Sequence, residues 1–440
     1  TPDQARTPAS FGTGSISVID PDLQYPQIHS FSLSFQREIG SGNVIEATYI
    51  RKHAVHLLGG YNVNQANIFA SVSSPAITDG ANTFISAFNL LRNNSAANSQ
   101  LINLLMSGNA SNNNGSARFR ALNTTALAAT GAGSGAAGSA AVTLSQRTCQ
   151  AADVTATICT SAQLNQRLLD INGFPFLIQP YPQFTGGLNV FDSNDYSNYN
   201  AVELLFKRRM TAGLSFQLAY TWSKSKDNRS WDPSLSTINT ANSQAGSATP
   251  FDLRDRSLNY ALSDFDRTHV VQALYVYELP FGKDKAFDSG NRALNYLIGG
   301  WQLSGTTIWQ TGRPFTVYSG ANTVSSVIQS PANCNGCTPN MGQVVVENGV
   351  NYYFTAAQRA MFSSPNPGTL GNTGRNFFRN AKYFQTDLSV LRKFKFNEKW
   401  AFDFRVDLRN LTNTPNFDIS ASNNNLTFNN TAFGRILDGV

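Results

Sequence analysis

The stretch Asn397–Asn413, NEKWAFDFRVDLRNLTN, alternates two kinds of side chain at every second position. Trp400, Phe402, Phe404, Val406 and Leu408 occupy one parity; Lys399, Ala401, Asp403, Arg405, Asp407 and Arg409 occupy the other. A period of two marks a β-strand, whose successive side chains point to opposite faces. One such strand would fit the half-buried sheet of a water-soluble protein. The pattern recurs in Leu214–Ser223, LSFQLAYTWS, where Leu214, Phe216, Leu218, Tyr220 and Trp222 alternate with Ser215, Gln217, Ala219, Thr221 and Ser223. Globular strands usually stop at about 5 to 6 residues, whereas a strand crossing a bilayer needs about 9 to 11. Length and aromatic weight together favour a membrane wall with one lipid-facing and one lumen-facing side.

Composition supports this. Of 440 residues only 41% are hydrophobic and 14% charged, and Asn, Ser, Gly, Thr and Ala fill the gap. That balance suits short membrane strands joined by long polar loops. Mean hydropathy is −0.24, and the absence of any run of about 18 apolar residues excludes a helical membrane protein. The net charge of +6 is spread along the chain, without the basic stripe that a nucleic-acid partner would require. The densest basic run, FKRR at Phe206–Arg209, reads as a solvated strand end before a tight turn. The opening TPDQARTPASFGTG has neither a basic nor an apolar leader segment. It is expected either to follow a removed signal peptide or to begin inside a larger protein, and the remaining observations favour the second.

Strand candidates come in pairs, which divides the chain. After an incoming segment at 1–27, hairpins or strand pairs are expected at 28–52, 200–223, 269–312 and 384–409. Between them lie long connections at 53–199, 224–268 and 313–383, and a last loop at 410–440 precedes a missing closing strand. Short and long connections alternate, as in outer-membrane barrels with short periplasmic turns and long extracellular loops. The fold class expected is all-β: an antiparallel transmembrane β-barrel, about eight strands of a larger one. Within the first loop, Asn82–Gly108 spaces its apolar residues as a short amphipathic helix pair would, and Ala126–Ala141 is low-complexity and expected to be flexible.

Aromatic residues sort toward two girdles. Trp222, Trp309, Tyr196 and Tyr199 fall toward the long-loop ends, and Tyr275, Tyr277, Phe396 and Trp400 toward the short-turn ends. The candidate lipid-facing and girdle positions are Phe216, Tyr220, Trp222, Tyr275, Tyr277, Trp309, Trp400, Phe402 and Phe404. On the opposite parity Asp387, Lys393, Lys395, Asp403, Arg405, Asp407 and Arg409 are expected to crowd the lumen.

Motifs for chemistry are weak. Cys149 and Cys159 lie in one long loop and Cys334 and Cys337, in CNGC, in another. This placement suits loop disulfides of an oxidising compartment better than a thioredoxin-like or zinc site. His53 and His56 lack a nearby carboxylate, and SDFDRTH at Ser263–His269 needs only to be an ion-pair cluster at the lumen rim. No catalytic, metal or cofactor-binding residue is assigned, and no cofactor or enzymatic activity is expected.

Four blocks carry a family resemblance: NYNAVELLFKRRMTAGLSFQLAYTWSKSKDN, FDLRDRSLNYALSDFDRTHVVQALYVYELPFGK, LIGGWQLSGTTIWQTGRPFTV and FRVDLRNLTNTPNF. In this order, from about Ile28 to the end, the chain resembles the Oar-like TonB-dependent transporters. The resemblance implies a barrel of about 22 strands holding a plug, energised by a TonB complex, for uptake of a solute that the sequence does not name. The plug, the TonB-contacting segment and the last strand are expected to lie outside Thr1–Val440, so the chain reads as a C-terminal barrel portion in contact with outer-membrane lipid. The other class considered is a self-contained small barrel acting as an adhesin or structural surface protein.

Overall fold

The computed structural model describes residues 16–40, 42–107, 109–146, 180–181, 187–230, 250–395, 400–419 and 423–436. Eight long strands run antiparallel in chain order: β1 (Gln27–Glu38), β2 (Asn43–Asn62), β3 (Leu188–Thr211), β4 (Leu214–Asp227), β5 (His269–Glu278), β6 (Trp301–Gln310), β7 (Tyr383–Lys395) and β8 (Ala401–Leu408). Each is hydrogen-bonded to the next, and two short strands, Ile16–Ile19 and Ala261–Leu262, pair with β3 and β4 at the margin. The sheet is open among the described residues, because β1 and β8 are not bonded to each other.

Register converts sequence parity into two faces. Phe35, Ala47, Leu204, Tyr220, Val271, Trp309 and Phe384 are consecutive partners across seven strands. On the other parity Lys207, Gln217, Leu274, Thr306 and Asp387 form a similar row. A slip of one residue in any strand would exchange its two faces, so the continuity of both rows fixes the pairing. At one end β3 turns into β4 through Ala212 and Gly213, both left-handed at φ 52° and 80°. Two such residues make the tight turn whose twist matches paired strands.

Strands β2 and β3 outrun the expected spans, which ended at 52 and began at 200. The added parts, 53–62 and 188–199, pair with each other across register shifts between Ala54 and Leu57 and between Leu57 and Gly59. Alternation fails there because the register shifts break the parity of β2, and DSNDYSNYN in β3 offers no apolar parity. His53 and His56 therefore lie within β2, not past its end; His56 takes φ 55° at the irregularity, and His53 Nδ1 lies 2.7 Å from Asn198 Oδ1.

The long connections fold on themselves. In 63–146 the helices are α1 (Phe84–Asn93), α2 (Gln100–Ser107), α3 (Asn114–Leu122), α4 (Thr124–Leu127) and α5 (Ala137–Gln146). Thr83 caps α1 through a reciprocal box with Ser86. Phe84, Phe88 and Phe119 are fully buried and meet edge-on, with Phe119 6.0 Å from Phe84 and 6.4 Å from Phe88. Burying each ring contributes about 1.5 to 3 kcal/mol.

From Ser134 on, the alanine- and glycine-rich stretch expected to be flexible is packed instead, while 129–132 are exposed. Ala136, Ala137, Ala140 and Ala141 are buried in this core, and the Gly138 N–H donates to the Asn322 carbonyl at 2.9 Å. Small residues let the helix touch a neighbouring backbone, and a Cβ at Gly138 would collide with the Ser325 carbonyl. Gly138→Val is therefore expected to destabilise this packing by about 1 to 3 kcal/mol. Limited proteolysis should then cut 137–146 and 321–326 faster than in the parent, while Ser139→Ala, at an exposed position, leaves the rate unchanged.

Candidate functional site

The site is built on the polar face of the sheet, and the folded long connections lie beyond the far ends of its strands. Ser215 and Gln217 of β4, Ser304 and Thr306 of β6, Asp387 and Ser389 of β7 and Arg405 of β8 line a trough of about 450 Å3. Asp387 accepts the Asn410 N–H at 2.8 Å and Gln385 Nε2 at 3.1 Å. Arg405 lies 2.9 Å from Asp407, and Lys393 lies 3.6 Å from Asp403. These side chains are more than half exposed, so water screens them and leaves them open to a solute. The expected lumen set thus shares one face. Arg409 falls just past the end of β8, and the side chain of Lys395 lies outside the described residues.

The expected lipid-facing set shares the other face. Phe216 pairs with Tyr275, Tyr220 with Val271 and then Trp309, and Trp222 with His269. Tyr277 falls on the same face opposite Leu214, and Phe402 and Phe404 oppose Phe394 and Arg392. Trp400 precedes β8 and is 72% exposed. Tyr199 departs from its expected place: its partners Lys52 and Ser225 put it on the polar parity, because it lies an odd number of residues from Val202. Tyr196 instead stacks on Tyr260 at 5.3 Å among the loops, and Phe396 lies outside the described residues.

Above the trough, Arg375 ties the long connections together. Its guanidinium has no exposed surface. It donates to the Asp227 carboxylate at 2.8 Å, to Asp264 at 3.0 Å, and to the Asn259 carbonyl and Ser230 hydroxyl at 3.0 and 2.8 Å. Burial by itself disfavours the charge, but Asp264 and Asp227 reverse that effect and hold Arg375 above its ordinary pKa. Arg379 pairs with Asp266 at 2.6 Å, Arg229 with Asp195 at 2.9 Å and Arg256 with Asp192 at 2.8 Å. The SDFDRTH segment is thus an ion-pair cluster whose partners come from a distant loop. The sequence did not point to Arg375 and Arg379, since they lie 111 and 113 residues from the carboxylates they meet.

Beside this network Phe354 is packed among Phe315, Phe362, Phe378 and Phe433 at 5.5 to 6.2 Å. Cys334 and Cys337 are joined in a disulfide next to the same core, while Cys149 and Cys159 lie outside the described residues. Tyr353 is 5% exposed, and burial pushes its phenol up to about 12. Its folded-state pKa exceeds the ordinary value of about 10, so the fold binds more protons than the unfolded chain between those values. Stability should be intact below pH 10 and fall as pH rises through 12. A tyrosinate absorbance titration with parallel proteolysis checks this: Tyr353→Phe should remove one late-titrating phenol and flatten the alkaline loss.

These elements make an open antiparallel sheet with one apolar and one polar face among the described residues, with folded loops at one end. The sequence profile of the family described as outer membrane beta barrel domain matches residues 1–439. The chain belongs to this family. Its place is the bacterial outer membrane, and the apolar face of this barrel domain is the one that lipid would meet. No curated protein matches the chain significantly. Among solved structures it is similar to the outer membrane transporter YddB from Escherichia coli, at 8% identity and a TM-score of 0.38. That match covers 97% of this chain and 33% of the other, so the barrel domain spans about a third of that structure's length.

Proposed function

We propose that the chain is the C-terminal barrel wall of a TonB-dependent outer-membrane transporter, Oar-like in kind, for energised uptake of a bulky solute. The loop cap is the vestibule that first meets the solute, and the polar trough is part of its path. The observation that carries this reading is the trough itself: half-buried Asp387 and exposed Arg405 beside hydroxyl and amide groups on a single face. A small barrel acting as an adhesin would have to fill its lumen with side chains. Its eight strands would also have to close, whereas β1 and β8 are unpaired with each other here. In hydrocarbon an open edge leaves backbone groups unsatisfied, which favours further strands completing a wall of about 22.

In this reading a plug and a TonB complex act through other parts of the whole protein, and no nucleic acid or cofactor takes part. Nor is catalysis invoked: in the loop cap the carboxylates Asp227, Asp264 and Asp266 are each engaged by a guanidinium.

The test compares cells with and without the whole protein for depletion of solutes from a complex medium, measured by mass spectrometry. The expected result is that at least one bulky solute disappears only when the protein is present and only while the proton-motive force is intact. Depletion that survives an uncoupler would mean a passive pore, and no protein-dependent depletion would remove transport altogether.

A further inference from the structure

The connection between β5 and β6 folds into a helix, α6 (Arg292–Ile298), capped by the Asn291 side chain. The helix lies against the apolar face at the short-turn end: Tyr296 packs on Phe394 at 6.1 Å, and Trp301 Nε1 donates to the Leu297 carbonyl at 3.1 Å. Leu294, Tyr296 and Leu297 nevertheless stay 46%, 46% and 63% exposed. A short helix with exposed apolar residues at the rim of a membrane wall lies at the level of the lipid head groups.

Arg392 interrupts the apolar parity of β7 on this face. By register it stands between Trp301 and Phe404, where every other member of its β7 parity from Leu388 to Phe394 is apolar. Its guanidinium lies 4.0 Å from the Phe394 ring and 5.3 Å from Trp301, and one nitrogen donates to the Leu297 carbonyl. The residue is 4% exposed, yet its Nε has no hydrogen-bond partner among the described residues. A buried, charged donor left open costs free energy unless an anion completes it.

Such an anion has a place. Arg392, Arg292 and Lys283 line a cleft of about 1240 Å3 between α6 and β7. Lys285 and Lys393 line it too, but they are paired with Glu278 and Asp403. The acid in the lining, Asp288, is held by the Gly290 N–H and the Asn295 amide. Next to the cleft, Phe402 and Phe404 are 55% and 39% exposed along the apolar face.

The geometry points to a binding site for an anionic phospholipid of the periplasmic leaflet. Its phosphodiester meets Arg392, Arg292 and Lys283, and its acyl chains lie along Leu297, Phe402 and Phe404. Guanidinium groups match a phosphate's paired oxygens, and the adjoining apolar strip distinguishes a lipid from free phosphate. The proposal rests on the outer-membrane placement of the barrel and not on the uptake reading, so either can fail without the other.

The test reconstitutes the whole protein in phosphatidylcholine vesicles containing either brominated phosphatidylglycerol or brominated phosphatidylethanolamine. Quenching of Trp301 is taken as the difference between the protein and its Trp301→Phe variant. Phosphatidylglycerol should quench preferentially, and the preference should fall about fivefold for each basic side chain removed. Arg392→Gln tests the buried group. The exposed pair Lys283→Gln and Arg292→Gln tests the site without touching the packing, so a folding defect at Arg392 cannot imitate the result. Equal quenching by the two lipids, or a preference unchanged in the exposed pair, overturns the proposal. Loss of the preference on adding inorganic phosphate would also overturn it, by assigning the cleft to free phosphate.

Discussion

Replacing Arg375 with alanine is expected to cost the loop cap about 3 to 5 kcal/mol, the usual penalty for stranding a buried charge partner. Asp227, which is 2% exposed, would lose its guanidinium, and the Asn259 carbonyl and Ser230 hydroxyl would lose the same donor. Unfolding of the cap should separate from that of the sheet, and limited proteolysis should open new cuts within 250–268. Arg375→Lys keeps the charge but replaces a five-donor planar fork with a three-donor ammonium, so it should recover only part of the loss. The control is Lys285→Ala. Its pair with Glu278 is nearly half exposed on both sides, and removing it should change stability by about 0 to 1 kcal/mol. Equal effects at Arg375 and Lys285 would mean that the buried network does not hold the cap.

The second large effect concerns the two faces of β4. Leu218 stands on the apolar face opposite Phe206 and Ala273, and arginine there should lower stability in the bilayer by about 2 to 4 kcal/mol. Gln217 lines the polar trough, one residue away, and arginine there should be tolerated. Refolding into lipid vesicles, read as the fraction folded against urea, measures both. Similar penalties at the two positions would contradict the assignment of faces.

These two experiments also mark what the sequence makes legible and what it does not. The sheet could be read because its signal is local: from Leu214 to Ser223 each residue declares its face by parity, and register only extends that row across neighbours. The upper parts of β2 and β3 escaped this reading because a run such as DSNDYSNYN has no apolar parity to declare. The alanine- and glycine-rich α5 escaped it for the opposite reason, since a composition that suits flexibility also suits close backbone contact. Helix α6 has too few residues for a period to show. Arg392 could have been noticed as a charge on an apolar parity, and that was the one sequence signal for the rim cleft. The Arg375 network offered none, because nothing in RNFFRN says which carboxylates 111 residues away will meet it.

The most direct test of the account is a cysteine scan from Leu214 to Ser223 of the whole protein in outer membranes. An impermeant thiol reagent and a bilayer-embedded quencher would each be applied to every position. Strict alternation is the expected result. Cysteines at Ser215, Gln217, Ala219 and Thr221 react with the water-borne reagent, and those at Leu214, Phe216, Leu218 and Tyr220 meet the quencher. Uniform access to the water-borne reagent at both parities would contradict a membrane wall, and the reverse alternation would place the charged face in lipid.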